Sequence, residues 1–393
     1  MKSYQKIQSI RDRLPGPKWA QSFWTWLSGI PHSEETLDHR WNPTGRLLGA
    51  ALVLALSLSS TLLLLKAGDL WLFALPLTWL LTTGALRYFF IVPGHYAAHG
   101  TLAKTKLGNR VLGELFSTLF FTASFDAYRR DHARFHHSWR LGTGLDPDVR
   151  FLASFGFLPG QSVTRLWLRL VVALFSPRYH LSYLTGRAKW NLLRGPRYRL
   201  VSGWAYLSLT AAFLAFTGFW LEWLIAFALP ATFGFQASAL LQYLSEHRWW
   251  LEGERGAKRT GRLTFGRFLL LEFPERGSKP PWKLFAAKSA FWLRVFLVQL
   301  PTRLAVLVGD LPQHDLHHRR PKADWANAAL VRHQDVLAGS PGWPENYEDR
   351  TGTLVDFIGE VFRGWSKRPP LTATEKADLT RSEVKNRPAR KNP

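Results

Sequence analysis

Residues 47–65 read LLGAALVLALSLSSTLLLL, a run of 19 residues without a charged side chain. A transmembrane helix needs about 20 apolar residues to cross the hydrocarbon core of a bilayer, so this run predicts a membrane span. A second uncharged run covers residues 70–86 after a four-residue connector. It contains Pro76, which a packed transmembrane helix tolerates. The two runs together predict a membrane hairpin.

A second pair of apolar runs occurs later in the chain, at about residues 200–217 and 223–244, and predicts a second hairpin. Residues 87–199, which separate the two pairs, are basic and contain only short apolar runs. We expect them to form surface helices rather than further spans.

One more apolar stretch, near residues 290–309, is interrupted by Arg294, Pro301 and Arg303. These interruptions favour a segment lying in the membrane interface over a fifth span. The sequence therefore predicts an all-α integral membrane protein with four transmembrane helices in two hairpins, carrying a cytoplasmic helical cap.

This interpretation divides the chain into three parts. Residues 1–46 form a polar N-terminal segment, residues 47–366 the membrane domain, and residues 367–393 a basic tail. The tail lacks apolar periodicity, and we expect it to be disordered.

The distribution of basic residues predicts the orientation in the membrane. The chain has 51 Lys and Arg against 28 Asp and Glu, a formal net charge of +23. All but Lys66 lie in residues 1–46, 87–199 and 245–393, which four spans place on one side. The positive-inside rule assigns this side to the cytoplasm. We expect a multi-pass protein of a bacterial inner membrane with both termini cytoplasmic, and no nucleic-acid partner.

The residue types present limit the chemistry. The chain has no cysteine, which excludes disulfides, thiolate metal sites and cysteine nucleophiles. It has 13 histidines, and nine of them fall in four tight groups that follow the predicted spans or lie in the cytoplasmic layer. These nine are His95, His99, His132, His136, His137, His247, His314, His317 and His318.

The spacing of these histidines suggests a pair of metals. Residues three or four apart share a helix face, so His95 with His99, and His132 with His136, can each face one metal. His314, His317 and His318 can likewise share a face. His137 points about 100° away from His136 and suits a second metal. Imidazole favours zinc, copper, iron and nickel. Haem ligands would lie inside the spans, where none of the nine is found. The isolated histidines His32, His39, His180 and His333 are interpreted as surface or packing residues.

The motifs resemble those of the membrane fatty acid desaturase/hydroxylase superfamily over about residues 45–335. The matching features are HYAAH at 95–99, HARFHH at 132–137, HDLHH at 314–318, SEH at 245–247, and two hairpins placed between them. The sequence GTGLDPDVRF at 142–151 is similar to a motif of bacterial and acyl-lipid branches.

The resemblance implies a cytoplasmic di-iron site that uses O2, with all nine clustered histidines as ligands. It implies a desaturase that acts on a lipid acyl chain or another long apolar substrate. A hydroxylase or ketolase of a lipid or carotenoid is the main alternative, and a non-enzymatic membrane metal-binding protein is a remote one.

Two further expectations concern the surroundings of the site. An external donor must supply electrons, and the basic face would attract an acidic ferredoxin-type protein or anionic lipid headgroups. Asp131, Glu246 and Asp315 adjoin histidines and can either orient their imidazoles or be solvated. Asp146 and Asp148 can form a polar shell or a loop cap, and the sequence assigns neither.

Overall fold

The computed structural model describes residues 2–37, 42–250, 256–277 and 280–380, and these are mainly helical. Two short parallel strands, β1 Gly266–Phe268 and β2 Asp349–Thr351, pair with each other. In chain order the helices are α1 Lys2–Asp12, α2 Lys18–Ser28, α3 Pro43–Ala67, α4 Asp69–Ala98, α5 Lys106–Leu119, α6 Phe125–Asp131, α7 Pro147–Ser154, α8 Val163–Phe175, α9 Pro177–Ala188, α10 Arg197–Thr217, α11 Trp220–Glu246, α12 Gly256–Leu263, α13 Pro281–Val306, α14 His314–Arg319, α15 Ala328–Leu337, α16 Leu354–Lys367 and α17 Ala373–Thr380.

Several helices contain or are followed by π-helical or 3₁₀ turns. Such turns change the angle between successive side chains and are frequent at functional sites. The π-helical turns are Phe90–Gly94 within α4, His132–His136 after α6, Lys189–Leu193 after α9, Leu224–Ala228 and Pro230–Gly234 within α11, and Val295–Gln299 and Thr302–Val306 within α13; the 3₁₀ turns are Asp69–Ala74 at the start of α4, Leu311–Gln313 and Trp325–Asn327.

Five helices among the described residues are long and apolar enough to cross a membrane: α3, α4, α10, α11 and α13. The four predicted spans fall within the first four of these. Most side chains of α3 and α10 are exposed in the isolated chain, as expected for helices that face lipid. The prediction of an all-α membrane protein is therefore confirmed in its class.

Helices α3 and α4 form a hairpin. The side chain of Asn42 accepts a hydrogen bond from Thr44 N and caps α3, and Gly68 ends the helix with φ +69°. Between the two helices Thr61 Oγ1 bonds Thr78 Oγ1 at 2.8 Å. Thr82 Oγ1 bonds Ser57 Oγ at 2.9 Å. Such bonds satisfy buried hydroxyls where no water reaches and fix the pairing of the hairpin.

Helix α13 covers the stretch that the sequence assigns to the interface. Near its middle the Phe291 ring lies 6.0 Å from the ring of Trp24 in α2. Its end contacts α4 so closely that a Cβ on Gly84 would meet the carbonyl oxygen of Leu304 at 2.1 Å. The chain then turns back at Gly309, whose φ is +57°, and continues to His314. Helix α13 thus connects the N-terminal helices to the membrane bundle and ends beside the last group of histidines.

The polar layer is held by buried arginines and an apolar core. Arg267 of β1 is buried, and it donates to Ser245 Oγ at 2.9 Å and to the carbonyl oxygen of Leu311 at 2.8 Å. These bonds join the end of α11 to the segment before α14. Phe362 and Trp365 of α16 pack in the main core with Leu244 of α11. These contacts of the polar layer therefore hold the end of α11 in place.

The first part of the predicted tail contains a short helix. Helix α17 begins after Thr372, which forms a capping box with Glu375. Arg150 of α7 donates to the carbonyl oxygen of Asp378 at 2.9 Å and anchors the helix. The sequence T-A-T-E was the available signal. Residues 381–393, the remainder of the predicted tail, lie outside the described residues.

Candidate metal centre

The structure brings all nine predicted histidines together in two adjacent groups whose ring nitrogens could hold metal ions. The rings of His137 and His318, which belong to different groups, approach to 4.6 Å between centroids. We name the first group the five-histidine group and the second the four-histidine group. They consist of His95, His99, His132, His137 and His317, and of His136, His247, His314 and His318, respectively.

In the five-histidine group the Nε2 atoms face one another. His317 Nε2 lies 2.7 Å from His95 Nε2 and 2.9 Å from His137 Nε2. His132 Nε2 lies 3.1 Å from His99 Nε2. Tyr128 lies behind this group, with its hydroxyl 3.1 Å from His95 Nδ1. Tyr128, which no sequence motif indicated, can therefore orient the His95 ring from the outside.

In the four-histidine group the same atoms converge. The Nε2 atoms of His314 and His318 are 3.1 Å apart, and those of His136 and His247 are 3.4 Å apart. His247 is fully buried at the end of α11, where an isolated bridge to Thr264 holds its backbone extended. The end of a predicted span therefore brings this histidine to the site.

The assignment of histidines to the two groups differs from the one expected from α-helical spacing. His132 belongs with His137, five residues later, and not with His136. The reason is the π-helical turn, in which His137 N donates to the carbonyl oxygen of His132 at 3.0 Å. In α14 the expectation of one shared face is also wrong, because His317 joins the five-histidine group while His314 and His318 join the other.

Burial favours the neutral imidazole, which is the form that binds metals. Burial and then the neighbouring imidazoles lower the pKa of His132, His137, His317 and His318 well below the usual range. Burial lowers the pKa of His99 to about 4. His136 differs: burial also acts to lower its pKa, but the adjacent carboxylate of Asp148 outweighs it and raises the pKa to about 9.

The carboxylates near the histidines have different partners. Asp148 Oδ2 lies 3.4 Å from His136 Nδ1. Glu246 Oε1 lies 2.8 Å from His314 Nε2. Asp146 caps α7 by accepting from Asp148 N, as the loop-cap interpretation expects. Asp131 lies 3.6 Å from Arg130. Of these carboxylates, Asp148 and Glu246 therefore contact imidazole nitrogens directly.

Asp315 contacts an arginine that the sequence analysis did not identify. Arg332 of α15 donates to both oxygens of Asp315, at 2.8 and 2.6 Å, and lies 2.8 Å from Asp349 Oδ1. Asp315 therefore acts on α14 as a whole instead of on one imidazole. No local signal in the sequence pairs these residues, since they come from three separate elements.

A cavity of about 230 Å³ opens beside both groups. Its walls include Phe90 and Tyr128 together with Asp131, Glu246 and Asp310. On the far side, Asp310 accepts a hydrogen bond of 2.6 Å from the Tyr96 hydroxyl. The cavity gives a small molecule or part of a larger one access to the histidines.

The chemistry of the donor set fits metal ions. Two imidazole nitrogens in hydrogen-bond contact share at most one proton, yet three Nε2 pairs at 2.7–3.1 Å meet in the five-histidine group and two at 3.1 and 3.4 Å in the four-histidine group. Within the part of the chain that the structure describes, the buried Nδ1 atoms of His247 and His317 have no hydrogen-bond partner, so their Nε2 atoms are the nitrogens that take part in the groups. Neutral nitrogen ligands in this number suit iron, zinc, copper or nickel. Two ions, one per group, match the arrangement.

The remaining described histidines lie away from both groups. His180 contacts the side chain of Gln236 and the carbonyl oxygen of Leu174, at 2.7 and 2.8 Å. His333 contacts the Tyr4 hydroxyl, and His32 lies 3.9 Å from Asp12. These contacts agree with packing or surface roles. His39 lies outside the described residues.

Comparison with known proteins identifies the class. Residues 69–342, more than half of the chain, match the fatty acid desaturase family. The chain belongs to this family. Dihydrorhizobitoxine desaturase of Bradyrhizobium elkanii is similar to it, with 33% identity over 101 residues that cover 26% of this chain. The matched part spans 28% of that relative's length.

Proposed function

We propose that the protein is an O2-dependent di-iron desaturase that introduces a double bond into a lipid acyl chain. The observation that carries the proposal is the pair of adjacent buried groups of five and four histidines at the ends of apolar helices. Membership of the fatty acid desaturase family supports it. When bound, two irons would supply the oxidising chemistry that an unactivated C–H bond requires.

The protein's own residues would hold, orient and enclose the metals. The nine imidazoles would bind through the inward nitrogens. Asp148 and Tyr128 contact outward nitrogens of His136 and His95, and so fix those rings. The burial of the site limits access by water and protects reactive species from side reactions.

The proposed reaction requires an external electron donor. Forming one double bond removes two hydrogen atoms from the substrate, and reducing O2 to two waters needs four electrons. The substrate supplies two of these electrons and a ferredoxin-type protein the other two. The excess of basic residues supports an acidic donor, and it equally supports contact with anionic lipids.

The proposal includes four spans and a re-entrant α13, in place of the interfacial segment expected from the sequence: α13 enters the bundle from the side of the metal centre, and the segment after it returns to that side. Just before α13, Glu275 lies 3.4 Å from Arg13, which follows α1. Trp24 then packs on Phe291. Gly84, which contacts the end of α13, lies about 16 Å before His95 along α4, at 1.5 Å per residue. The chain therefore rises into the bundle and returns to His314 at the centre. The positive-inside rule assigns this side to the cytoplasm, and the proposed location is an inner membrane.

The central experiment expresses the protein in a bacterial host of known lipid composition and measures iron content and products. We expect two irons per chain and new double bonds in total fatty acids, located by mass spectrometry. Because the relative is named for dihydrorhizobitoxine, the search includes that compound. Hydroxylated or ketone products, in lipids or carotenoids, would indicate the alternative hydroxylase or ketolase reaction.

Two variants connect the activity to the two groups. His136→Ala and His317→Ala remove one ligand from each group, so both should abolish turnover and lower the iron content. His180→Ala is the matched control, because His180 contacts only residues outside the groups. Full activity and two irons in either ligand variant would show that the assigned ligand set is wrong.

A further inference from the structure

The two histidine groups differ in the number of imidazoles, which suggests that the smaller group has a further ligand. One offers five imidazoles and the other four. Glu246 directly precedes His247, and its side chain is buried beside the four-histidine group. A buried carboxylate is costly unless a cation or strong hydrogen bonds stabilise it.

The contact between Glu246 and His314 shows whether the carboxylate lies at the inward nitrogen of the imidazole ring or at the outer one. A carboxylate that orients a metal-bound imidazole contacts the nitrogen that points away from the metal. Asp148 does this, since it lies at His136 Nδ1 while His136 Nε2 faces His247. Glu246 instead lies 2.8 Å from His314 Nε2, the same atom that faces His318 Nε2 at 3.1 Å. Glu246 therefore contacts His314 on the ring nitrogen that faces the group, not on the outer nitrogen.

Binding of a metal changes what Glu246 can contact. Once His314 binds through Nε2, that nitrogen carries no proton and cannot donate to a carboxylate. Glu246 would then keep the Gln242 amide, whose Nε2 lies 3.2 and 3.1 Å from its two oxygens. Gln242 is held in this orientation because its own Oε1 accepts from Arg87. The oxygen at His314 would then lack its donor, and a metal ion held by the group could take the place of that donor.

We propose that Glu246 is a tenth metal ligand, a carboxylate oxygen on the ion held by His136, His247, His314 and His318. The inference rests on the proposed function only in requiring that this group binds a metal. An anionic oxygen on one ion and only neutral nitrogens on the other makes the two metals chemically different. The carboxylate favours the higher oxidation state of its own ion, since it offsets part of the positive charge.

The test compares wild type, Glu246→Gln and Glu246→Ala with Asp131→Asn as a matched control. Asp131 is a carboxylate of the same cavity, and its side chain lies 3.6 Å from Arg130. The proteins are produced with ⁵⁷Fe, purified in detergent and reduced. Iron per chain, iron retention against a chelator and Mössbauer spectra are then measured.

We expect two distinguishable iron signals in the wild type and in Asp131→Asn. In Glu246→Gln one signal should change or disappear, and that iron should bind at least about 10-fold more weakly. In Glu246→Ala, added formate should restore the lost signal by occupying the vacated carboxylate position. This rescue keeps the test decisive if the glutamine variant fails to accumulate.

Two results would overturn the proposal. One is Glu246→Gln with both irons at wild-type affinity and unchanged spectra. The other is an altered spectrum in Glu246→Ala that formate does not restore, since a structural role alone would produce it. A wild-type protein that binds no iron would instead overturn the proposed function, so the two failures can be told apart.

Discussion

At the scale of single residues, Arg332 holds α14, the helix that carries His314, His317 and His318, in place. It is buried, and it contacts Asp315 of α14 and Asp349 of β2. Burial acts to lower the pKa of Arg332, but the charges of Asp315 and Asp349 outweigh it and raise the pKa above its usual value. One cation thus balances two buried carboxylates that belong to separate elements.

Arg332→Leu should lower the free energy of unfolding by about 3–5 kcal/mol, because it leaves two buried carboxylates without their partner. The measurements are thermal unfolding in detergent and iron content, which should fall as α14 loosens. Arg350→Leu is the control: Arg350 pairs with Glu360 at a more exposed position, where an ion pair contributes about 0–1 kcal/mol. Equal stability losses in the two variants would contradict the argument.

The sequence predicted which histidines lie together but not what each carboxylate contacts. The nine histidines and their unusual spacing were sufficient to predict one site, because residues that are close in sequence stay close in the folded chain. The roles of Glu246, Asp148 and Asp315 depend on whether the opposite element offers Nε2, Nδ1 or an arginine. That choice is set by tertiary packing, so no local pattern reveals it.

At the scale of helices and turns, the length and composition of the apolar runs predicted the long helices, while their winding was not predictable. The expected pairing of His132 with His136 assumed 3.6 residues per turn. The π-helical turn at His132–His136 places His137 in that position. A similar turn, Phe90–Gly94, precedes His95 in α4. The structure adopts these turns where the histidines converge, which a helical-wheel argument does not anticipate.

The contact of α13 with α4 depends on Gly84. A Cβ at this position would lie 2.1 Å from the carbonyl oxygen of Leu304. Gly84→Ala should therefore separate the two helices and cost about 1–3 kcal/mol, since the backbone of Leu304 must move. Because Leu304 is ten residues before His314, we also expect weaker iron retention.

Gly49→Ala in α3 is the matched control for this prediction. Gly49 is also a helical glycine of a long apolar helix, but a Cβ there meets nothing within 4 Å. Its replacement should preserve or slightly raise stability, because alanine is the better helix former. Unfolding in detergent and chelator competition measure both effects. A wild-type result for Gly84→Ala would show that the α4–α13 contact does not restrain the centre.

At the scale of the whole molecule, the asymmetry of charge and the position of α13 together support the proposed topology. All basic residues except Lys66 fall on the side that four spans assign to the metal centre. Five spanning helices would instead place the segment before α13 and the segment after it on opposite sides. Contacts with α2 along α13 argue against this, because α2 precedes every span: Trp24 packs against Phe291 and Trp292, and Arg303, near the end of α13, donates to the carbonyl oxygen of Trp26 at 2.6 Å. With a re-entrant α13, the exposed aromatic side chains of Trp282 and Phe285 would lie at the membrane interface.

Single-cysteine labelling tests this topology directly, since the chain has no cysteine of its own. With four spans and a re-entrant α13, Lys66→Cys should react with a membrane-impermeant maleimide in spheroplasts, whereas Lys18→Cys, Lys283→Cys and Lys322→Cys should react only after permeabilisation. All four parent lysines are exposed, so access depends on the side of the membrane. If α13 spans the membrane, Lys283→Cys and Lys322→Cys must differ, because they flank it. Labelling of Lys322→Cys in intact spheroplasts, with Lys283→Cys still protected, would therefore replace the re-entrant segment with a fifth span, because four spans already precede residue 283. The iron content of each variant confirms that the labelled protein is folded.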